Sequence, residues 1–294
     1  MGESQVLSKA KDFLYKNARL LDRKRFEYHF EGGSSVEVIN VLRTYQNVDG
    51  GFGNALEPDI RCPQSQPVPT EMALTIMDEV ECFDPGIIKG IAKYIQSITL
   101  PEGGIPFVFT SASLYPHAPW WKTEEDNKSS INPTGKIIGY LYKQKAYTDF
   151  YHEEWFLRNV QFIWSYLENG GVTDYHDGIQ LITFLENAPD TSKASQYWPI
   201  VDDWLSQPGV IERNPYAEGY VHKVLDWCPA PSSYSRKFVS DEEIRKHLQV
   251  LIEQQQEDGG WPINWPALSA GAELEWRGWI TVERLRTLKS YGMI

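Results

Sequence analysis

An all-α fold is predicted, an α/α toroid of five to six helical hairpins in a single domain, and three observations predict it. First, the stretch Gln46-Asn47-Val48-Asp49-Gly50-Gly51-Phe52-Gly53 follows Val38, Val41, Leu42 and Tyr45, which fall at i, i+3, i+4 and i+7, the stripe of an amphipathic helix. The unit returns near the C-terminus, where Leu248, Leu251 and Ile252 precede Gln254-Gln255-Gln256-Glu257-Asp258-Gly259-Gly260-Trp261. Second, glycine pairs recur at Gly103-Gly104 and Gly170-Gly171, with a degraded copy at Pro208-Gly209, and each interval is long enough for one pair of helices and its loops. Third, no strand pattern of any length is present. Stacked hairpins either run on as an open solenoid or close into a ring, and irregular loops of this length favour closure.

Taken in order, residues 1 to about 30 read as one helix carrying Leu7, Phe13, Leu14, Leu20 and Leu21. Gly32-Gly33-Ser34-Ser35 breaks the chain and offers Ser35 as an N-cap. After the first Asp-Gly-Gly turn and a proline-rich loop, Thr70 is the expected N-cap of a helix holding Met72, Ala73, Ile76 and Met77 and ending near Cys82. Ile88, Ile91, Ala92 and Ile95 keep the helical stripe. Pro133-Thr134, an echo of Pro69-Thr70, opens a helix with Ile137, Ile138 and Leu141. Phe156, Val160, Ile163 and Leu167 predict a helix ending at Asn169, and Asp177 is the expected cap of the next, with Ile179, Ile182 and Phe184. Val201, Trp204 and Leu205 make a shorter helix. Ser240-Asp241-Glu242-Glu243 is a capping box, and the last helix is centred on Trp279, Val282, Leu285 and Leu288.

Bulk properties narrow the function. A net charge of −12 argues against nucleic-acid or anionic-membrane partners, which need clustered Lys and Arg. No apolar run reaches the length of a transmembrane segment, and Met1-Gly2-Glu3-Ser4-Gln5 shows neither the basic nor the apolar region of a secretion signal. Cys62, Cys82 and Cys228 are scattered, as expected of a reducing compartment without a disulfide framework. A cytoplasmic protein is expected. With 11 Trp, 16 Tyr and 12 Phe, there are aromatics to spare for lining a cavity.

The stretch Tyr45 to Gly53, followed by Pro69-Thr70 and a helix, resembles the internal repeat of protein prenyltransferase β-subunits. Gln255-Gln256-Glu257-Asp258-Gly259-Gly260-Trp261 is similar to the Gln-Trp repeat of squalene–hopene and oxidosqualene cyclases, and Gly259-Gly260-Trp261-Pro262 to turns of some polysaccharide lyases on helical rings. This resemblance to the terpenoid cyclase/protein prenyltransferase superfamily implies the toroid, since the Gln closes a helix and the aromatic packs between hairpins. It does not fix the chemistry. The cyclase acid motif Asp-x-Asp-Asp is broken, because Ile200 stands before Asp202-Asp203 where the first Asp belongs, and Ser206 interrupts the Asp-Asp-x-x-Asp of ionising terpene synthases. Lys223-Val224-Leu225-Asp226-Trp227-Cys228 resembles the prenyltransferase run that holds zinc, with Asp226 and Cys228 as ligands, but no late His supplies the third. No cofactor is therefore expected.

The remaining candidates lie in loops that open the second helix of a hairpin, where a ring would have its rim. Glu57-Pro58-Asp59 sets two carboxylates on a stiff segment, with Arg61 near and Glu71 at the following helix. A carboxylate in an aromatic cavity has its pKa raised and serves as a general acid; two of them several ångströms apart serve glycoside chemistry. The competing reading is that Glu57 and Asp59 satisfy loop amides and Arg61, while Glu71 complements the helix dipole. Glu275, beside Trp276 and Arg277, marks a second candidate rim with Trp265, and Trp120 and Trp121 sit on the longest loop. Three functions follow. One is a ring with an aromatic, acidic cavity for an apolar or isoprenoid ligand. The second is a carbohydrate-active lyase or hydrolase, and the third a non-catalytic ring that binds a peptide or protein. Catalysis itself is left open by the sequence, as is the oligomeric state.

Overall fold

The computed structural model describes residues 5–294. In chain order its helices are α1 (Gln5–Asn17), α2 (Leu20–Phe30), α3 (Ser35–Leu42), α4 (Pro67–Glu79), α5 (Pro85–Ile98), α6 (Ile131–Lys143), α7 (Glu154–Asn169), α8 (Tyr175–Asn187), α9 (Thr191–Leu205), α10 (Val224–Trp227), α11 (Asp241–Glu253) and α12 (Ala270–Ser290). Short 3-10 turns and one antiparallel pair of two-residue strands, β1 (Ile105–Pro106) and β2 (Ser129–Ser130), lie between them. The all-α expectation is thus met among the described residues. No helix there is long and apolar enough to cross a membrane. The chain divides into two compact units. The first takes the chain up to Val38 and from Leu205 onward; the second runs from Ile39 to Trp204.

In the first unit, α12 packs on α1 and α2, so that the first and last helices share one core. Phe13, Leu14, Leu21 and Phe26 are buried there, as are Val282, Leu285 and Leu288. The single helix expected over residues 1 to 30 is instead two; residues 1–4 of that expectation lie outside the described residues. The chain turns at Arg19, whose ψ is 155°. Gly278 of α12 comes close here, and a Cβ on it would lie 2.9 Å from that of Ala18. Asp22 then sits fully buried between Arg19 and Arg25, at 2.9 Å from each, and Arg25 lies 3.8 Å over the Trp279 ring. Leu20 and Leu21 preserve the apolar stripe across this break, which is why periodicity alone runs straight through it.

In the second unit, α6 packs against both α4 and α8. The α6–α8 approach depends on two missing side chains. A Cβ on Gly135 would lie 2.7 Å from the Gln180 Cβ, and one on Gly139 would lie 2.8 Å from the Thr183 carbonyl oxygen. Several helix starts follow from their caps. Asp84 accepts from the Ile87 amide at 2.9 Å ahead of Pro85, and the Ser240 capping box is formed as expected. Elsewhere the caps differ from expectation. Ser34, not Ser35, accepts the Val36 amide at 3.2 Å. Asp174, not Asp177, caps α8 through the Asp177 amide at 3.0 Å; Asp177 takes the Tyr166 hydroxyl at 2.7 Å instead.

Thr70 is no cap either. Helix α4 already starts at Pro67, whose ring supplies the helical φ and leaves no N–H in need of an acceptor. The Thr70 hydroxyl donates to the Gln66 carbonyl at 2.8 Å and accepts the Phe52 amide at 3.0 Å, so it holds the preceding turn against the helix. Thr134 does the same for the Ile105 amide at 3.1 Å, and Thr281 for the Trp261 amide at 3.1 Å. The echo of Pro69-Thr70 in Pro133-Thr134 therefore has a physical basis: each threonine pins the residue that follows a glycine pair.

The two full turns match bond for bond. Gln46 donates through Nε2 to the carbonyls of Gly50 at 2.9 Å and Ile87 at 3.2 Å; Gln255 donates to those of Gly259 and Val6, both at 2.9 Å. The Gly51 amide donates to Asp49 at 3.0 Å, and the Gly260 amide to Asp258 at 3.1 Å. Each turn is seated on a helix by its first glycine. A Cβ on Gly50 would lie 2.0 Å from the Gly90 carbonyl oxygen of α5, and one on Gly259 would lie 2.0 Å from that of Lys9 in α1. The second glycine faces the aromatic four residues further along that helix, Tyr94 or Phe13. Gly103 and Gly104 sit on Arg158 and Phe162 of α7 in the same manner.

Candidate functional site

The strongest cluster of polar groups in the second unit lies where α4, α6 and α8 begin. Helix α6 is entered through Asn132, whose φ of −92° and ψ of 114° are not helical, so the early amides of the helix lack the usual carbonyl partners. Gln180 of α8 supplies one. Its Oε1 accepts the Lys136 amide at 2.6 Å, while its Nε2 donates to Glu71 of α4 and to the Asn132 side-chain oxygen, both at 3.1 Å. Lys136 then completes the group with an ion pair to Glu71 at 2.6 Å. Gln180 is 1% exposed, and both oxygens of the Glu71 carboxylate are engaged, Oε1 by Lys136 and Oε2 by Gln180.

This cluster continues along the helices as a seam. Glu71, Thr75 and Asp78 lie at i, i+4 and i+7 on α4, and Lys136, Tyr140 and Lys143 hold the same spacing on α6. Glu71 pairs with Lys136, the Thr75 hydroxyl interacts with Tyr140, and Asp78 pairs with Lys143 at 2.6 Å. The matching order means that the two helices run parallel and in register. Burial pushes the Tyr140 phenol above its usual range. On α8, Glu186 lies near Asp78 and Lys143, and burial raises its carboxyl. His176, at the start of α8, is half-buried. Burial lowers its pKa and outweighs the opposing carboxylates of Asp174 and Glu71, so the imidazole is held neutral near pH 7.

The other expected residues of this unit lie outside the seam. Glu57 and Asp59 are 3% and 1% exposed. Their loop is pinned by the Asp59 carbonyl, which accepts the Ala118 amide at 3.0 Å, and by the bridge between Ile60 and His117. Arg61 donates to the Pro58 carbonyl at 3.2 Å. Trp121 packs on Phe107 at 5.0 Å, tilted by 34°, and covers a small core of Ile60, Cys62, Val108 and Ala112, whereas Trp120 next to it is 43% exposed. Of the carboxylates singled out by sequence in this unit, Glu71 alone joins the seam. Glu57 and Asp59 are buried in the loop that precedes α4.

In the first unit, Trp276 and Trp265 come together at the start of α12, where Glu275 also lies. Trp265 meets Trp276 at 5.2 Å and Tyr220 at 6.2 Å, with interplanar angles of 88° and 84°. Arg277 is a structural residue. It donates to Asp258 at 2.7 Å and to the Trp261 carbonyl at 3.2 Å, and it covers Phe13. Asp226 and Cys228, the expected zinc pair, each have other surroundings. The Asp226 oxygens accept from the Lys223 amide at 2.8 Å and from Arg284 at 2.9 Å, and burial pushes the Cys228 thiol up to about 12. Among the described residues, no three His, Cys, Asp or Glu side chains gather as a metal site.

Compared with known protein families, curated proteins and solved structures, the chain matches none.

Sequence reasoning missed Asn132, Lys136, His176 and Gln180. One signal was available: the i, i+4, i+7 spacing of polar residues on α4 and α6 lies within otherwise apolar helices, where such a stripe marks a shared polar face. Gln180 had none. It acts on partners 44, 48 and 109 residues away, which no local pattern encodes.

Proposed function

We propose that this protein is a closed ring of helical hairpins, an α/α toroid similar in build to the terpenoid cyclases and protein prenyltransferases, which binds a hydroxyl-rich, carbohydrate-class ligand over the polar seam of α4, α6 and α8. Support for closure comes from the C-terminal turn, which is seated on α1 as the Gln46 turn is seated on α5. The observation that carries the ligand class is the cluster of Glu71, Lys136, Gln180 and Asn132 at the helix starts. An isoprenoid pocket on these helices would need apolar side chains there. Ion pairs and amides instead favour a ligand that offers hydroxyls, since a hydrocarbon has nothing to hydrogen-bond with them. If the ligand is turned over, His176 is the candidate acid–base group, since it is half-buried at the start of α8 beside Glu71 and Lys136 of the cluster. Glu71, with both oxygens engaged, orients rather than protonates.

Calorimetric titration with a panel of neutral and acidic oligosaccharides, run beside a farnesyl diphosphate analogue, tests this. A saturable signal is expected with a sugar and not with the analogue, and Lys136→Ala is expected to weaken it about tenfold, the loss of one charge-assisted contact. Saturable binding of the isoprenoid analogue alone would overturn the ligand class.

A further inference from the structure

We propose that Asn169 is a site of spontaneous covalent modification, converting to aspartate and isoaspartate and loosening the end of α7. The reaction needs only water, and it does not rest on the ligand read from the seam. The Gly170 backbone nitrogen gives up its proton and attacks the carbonyl carbon of the Asn169 side chain. The new N–C bond closes a succinimide ring, and the side-chain nitrogen leaves with a proton as ammonia. Water then opens the ring at either carbonyl. One opening gives aspartate; the other gives the isomer whose main chain runs through the side chain.

Three observations carry it. Asn169 is the only asparagine in the chain followed by glycine, which has no side chain to crowd the attacking nitrogen. That nitrogen is also unengaged. Helices α5 and α8 end on residues whose amides donate back into the helix, Thr99 to Ile95 at 2.9 Å and Ala188 to Phe184 at 2.8 Å. The Gly170 amide, which ends α7, makes no such bond among the described residues. Finally, water has access: Asn169 and Gly170 are exposed, and the groove of about 430 Å³ opens beside them. Asp49, Asp177 and Asp258 precede glycines too, where the same ring closure would expel water. Their glycine amides are all bonded, to Asn47 at 3.0 Å, Asp174 at 3.0 Å and Gln256 at 2.9 Å.

The product alters the end of α7. Asn169 now donates through Nδ2 to the Ser165 carbonyl at 2.8 Å, and a carboxylate there has no proton to give. Its charge falls at the negative end of the helix dipole, next to Glu168. Tyr166 and Thr173 tie this end to α8 by donating to Asp177 at 2.7 and 2.5 Å, so the change reaches the helix that carries His176 and Gln180.

Incubating the full chain in mildly alkaline buffer at physiological temperature, with peptide mass spectrometry over time, reads the conversion directly. Asn169 is expected to convert first, about tenfold or more ahead of every other asparagine, because its turn is already open. Gly170→Ala meets no neighbour and should fold, and it is expected to slow the conversion about tenfold or more. Asn169→Asp, which carries the product's charge from the start, should unfold at lower urea than fresh wild type. Conversion of another asparagine ahead of Asn169 would overturn the proposal, as would a rate that Gly170→Ala leaves unchanged. A urea midpoint for both Asn169→Asp and the aged protein equal to that of fresh wild type would overturn the loosening of α7.

Discussion

The turn at Gly50-Gly51 and the turn at Gly170-Gly171 occupy the same place in their hairpins, yet only the first is locked to its neighbour. At Gly50 the fit is tight enough that no Cβ can be added, and Gln46 bridges the turn and α5 through two carbonyls. Five residues before Gly171, where the matching Gln would stand, the chain has Tyr166, and its hydroxyl goes to Asp177 instead. Nothing lies within 4 Å of the Cβ position of Gly170, and a groove of about 430 Å³ opens beside it, lined by Phe162, Ser165, Tyr166 and Thr173. Gly171 still meets Ile200 of α9, in the role that Tyr94 and Phe13 take elsewhere. The comparison separates the two parts of the repeat. An apolar residue on the neighbouring helix suffices to bring the elements together, whereas the glutamine amide and the bare glycine fix how closely they meet.

The largest effect should come from closing the seat. Gly50→Ala puts a methyl into the Gly90 carbonyl at a φ of +95°, so both overlap and backbone strain act, and a loss above about 3 kcal/mol is expected. Gly170→Ala meets no neighbour and should cost only its strain, about 1 kcal/mol. Urea unfolding of the two variants gives the comparison. Equal losses would mean that the seat at α5 contributes nothing beyond glycine's backbone freedom.

Removing the amide should cost less. Gln46→Leu leaves the carbonyls of Gly50 and Ile87 without this donor, about 2 kcal/mol at the usual value of a part-buried hydrogen bond. Gln255→Leu should match it, since its two bonds have the same partners in kind and nearly the same lengths. A loss below about 0.5 kcal/mol in both would reduce the glutamine to a helix terminator.

How much of this was legible follows from the range over which each residue acts. The helical stripes, the glycine turns and the Ser240 capping box are local, and they stand in the structure where the sequence puts them. Thr70, Asp177 and the break at Arg19 were misread because each residue type admits a local role while the actual partner is distant or sterically imposed. A threonine before a helix reads as a cap until Phe52 claims its hydroxyl. Glu71 was recognised as a carboxylate at a helix start, but its meaning depends on Lys136 and Gln180, which reach it from two other helices. Glu57 and Asp59 stand close to it in sequence and share its charge, and burial in their own loop is what sets them apart.

The smallest predicted effect concerns acidity. His176 lies at the start of α8, just beyond the loosened turn, and burial lowers its pKa below the ordinary 6.5. In the unfolded chain it takes up its proton as the pH falls through about 6.5, while in the folded chain it does so only at lower pH. The unfolded state therefore binds more protons in that window, and stability must fall as the pH drops below about 6.5. His247 of α11 is lowered by burial as well and adds to the same slope, whereas Glu186, raised by burial, works against it. The wild-type slope alone is thus a mixture. The difference between wild type and His176→Gln isolates one group: the variant should lose less stability between pH 7.5 and 5.5, by under about 1 kcal/mol. An unchanged slope would place the imbalance on His247 alone and would mean that the start of α8 admits the imidazolium. The open groove beside Gly170 would then let water reach the helix start, and the looseness of that turn would extend to the seam.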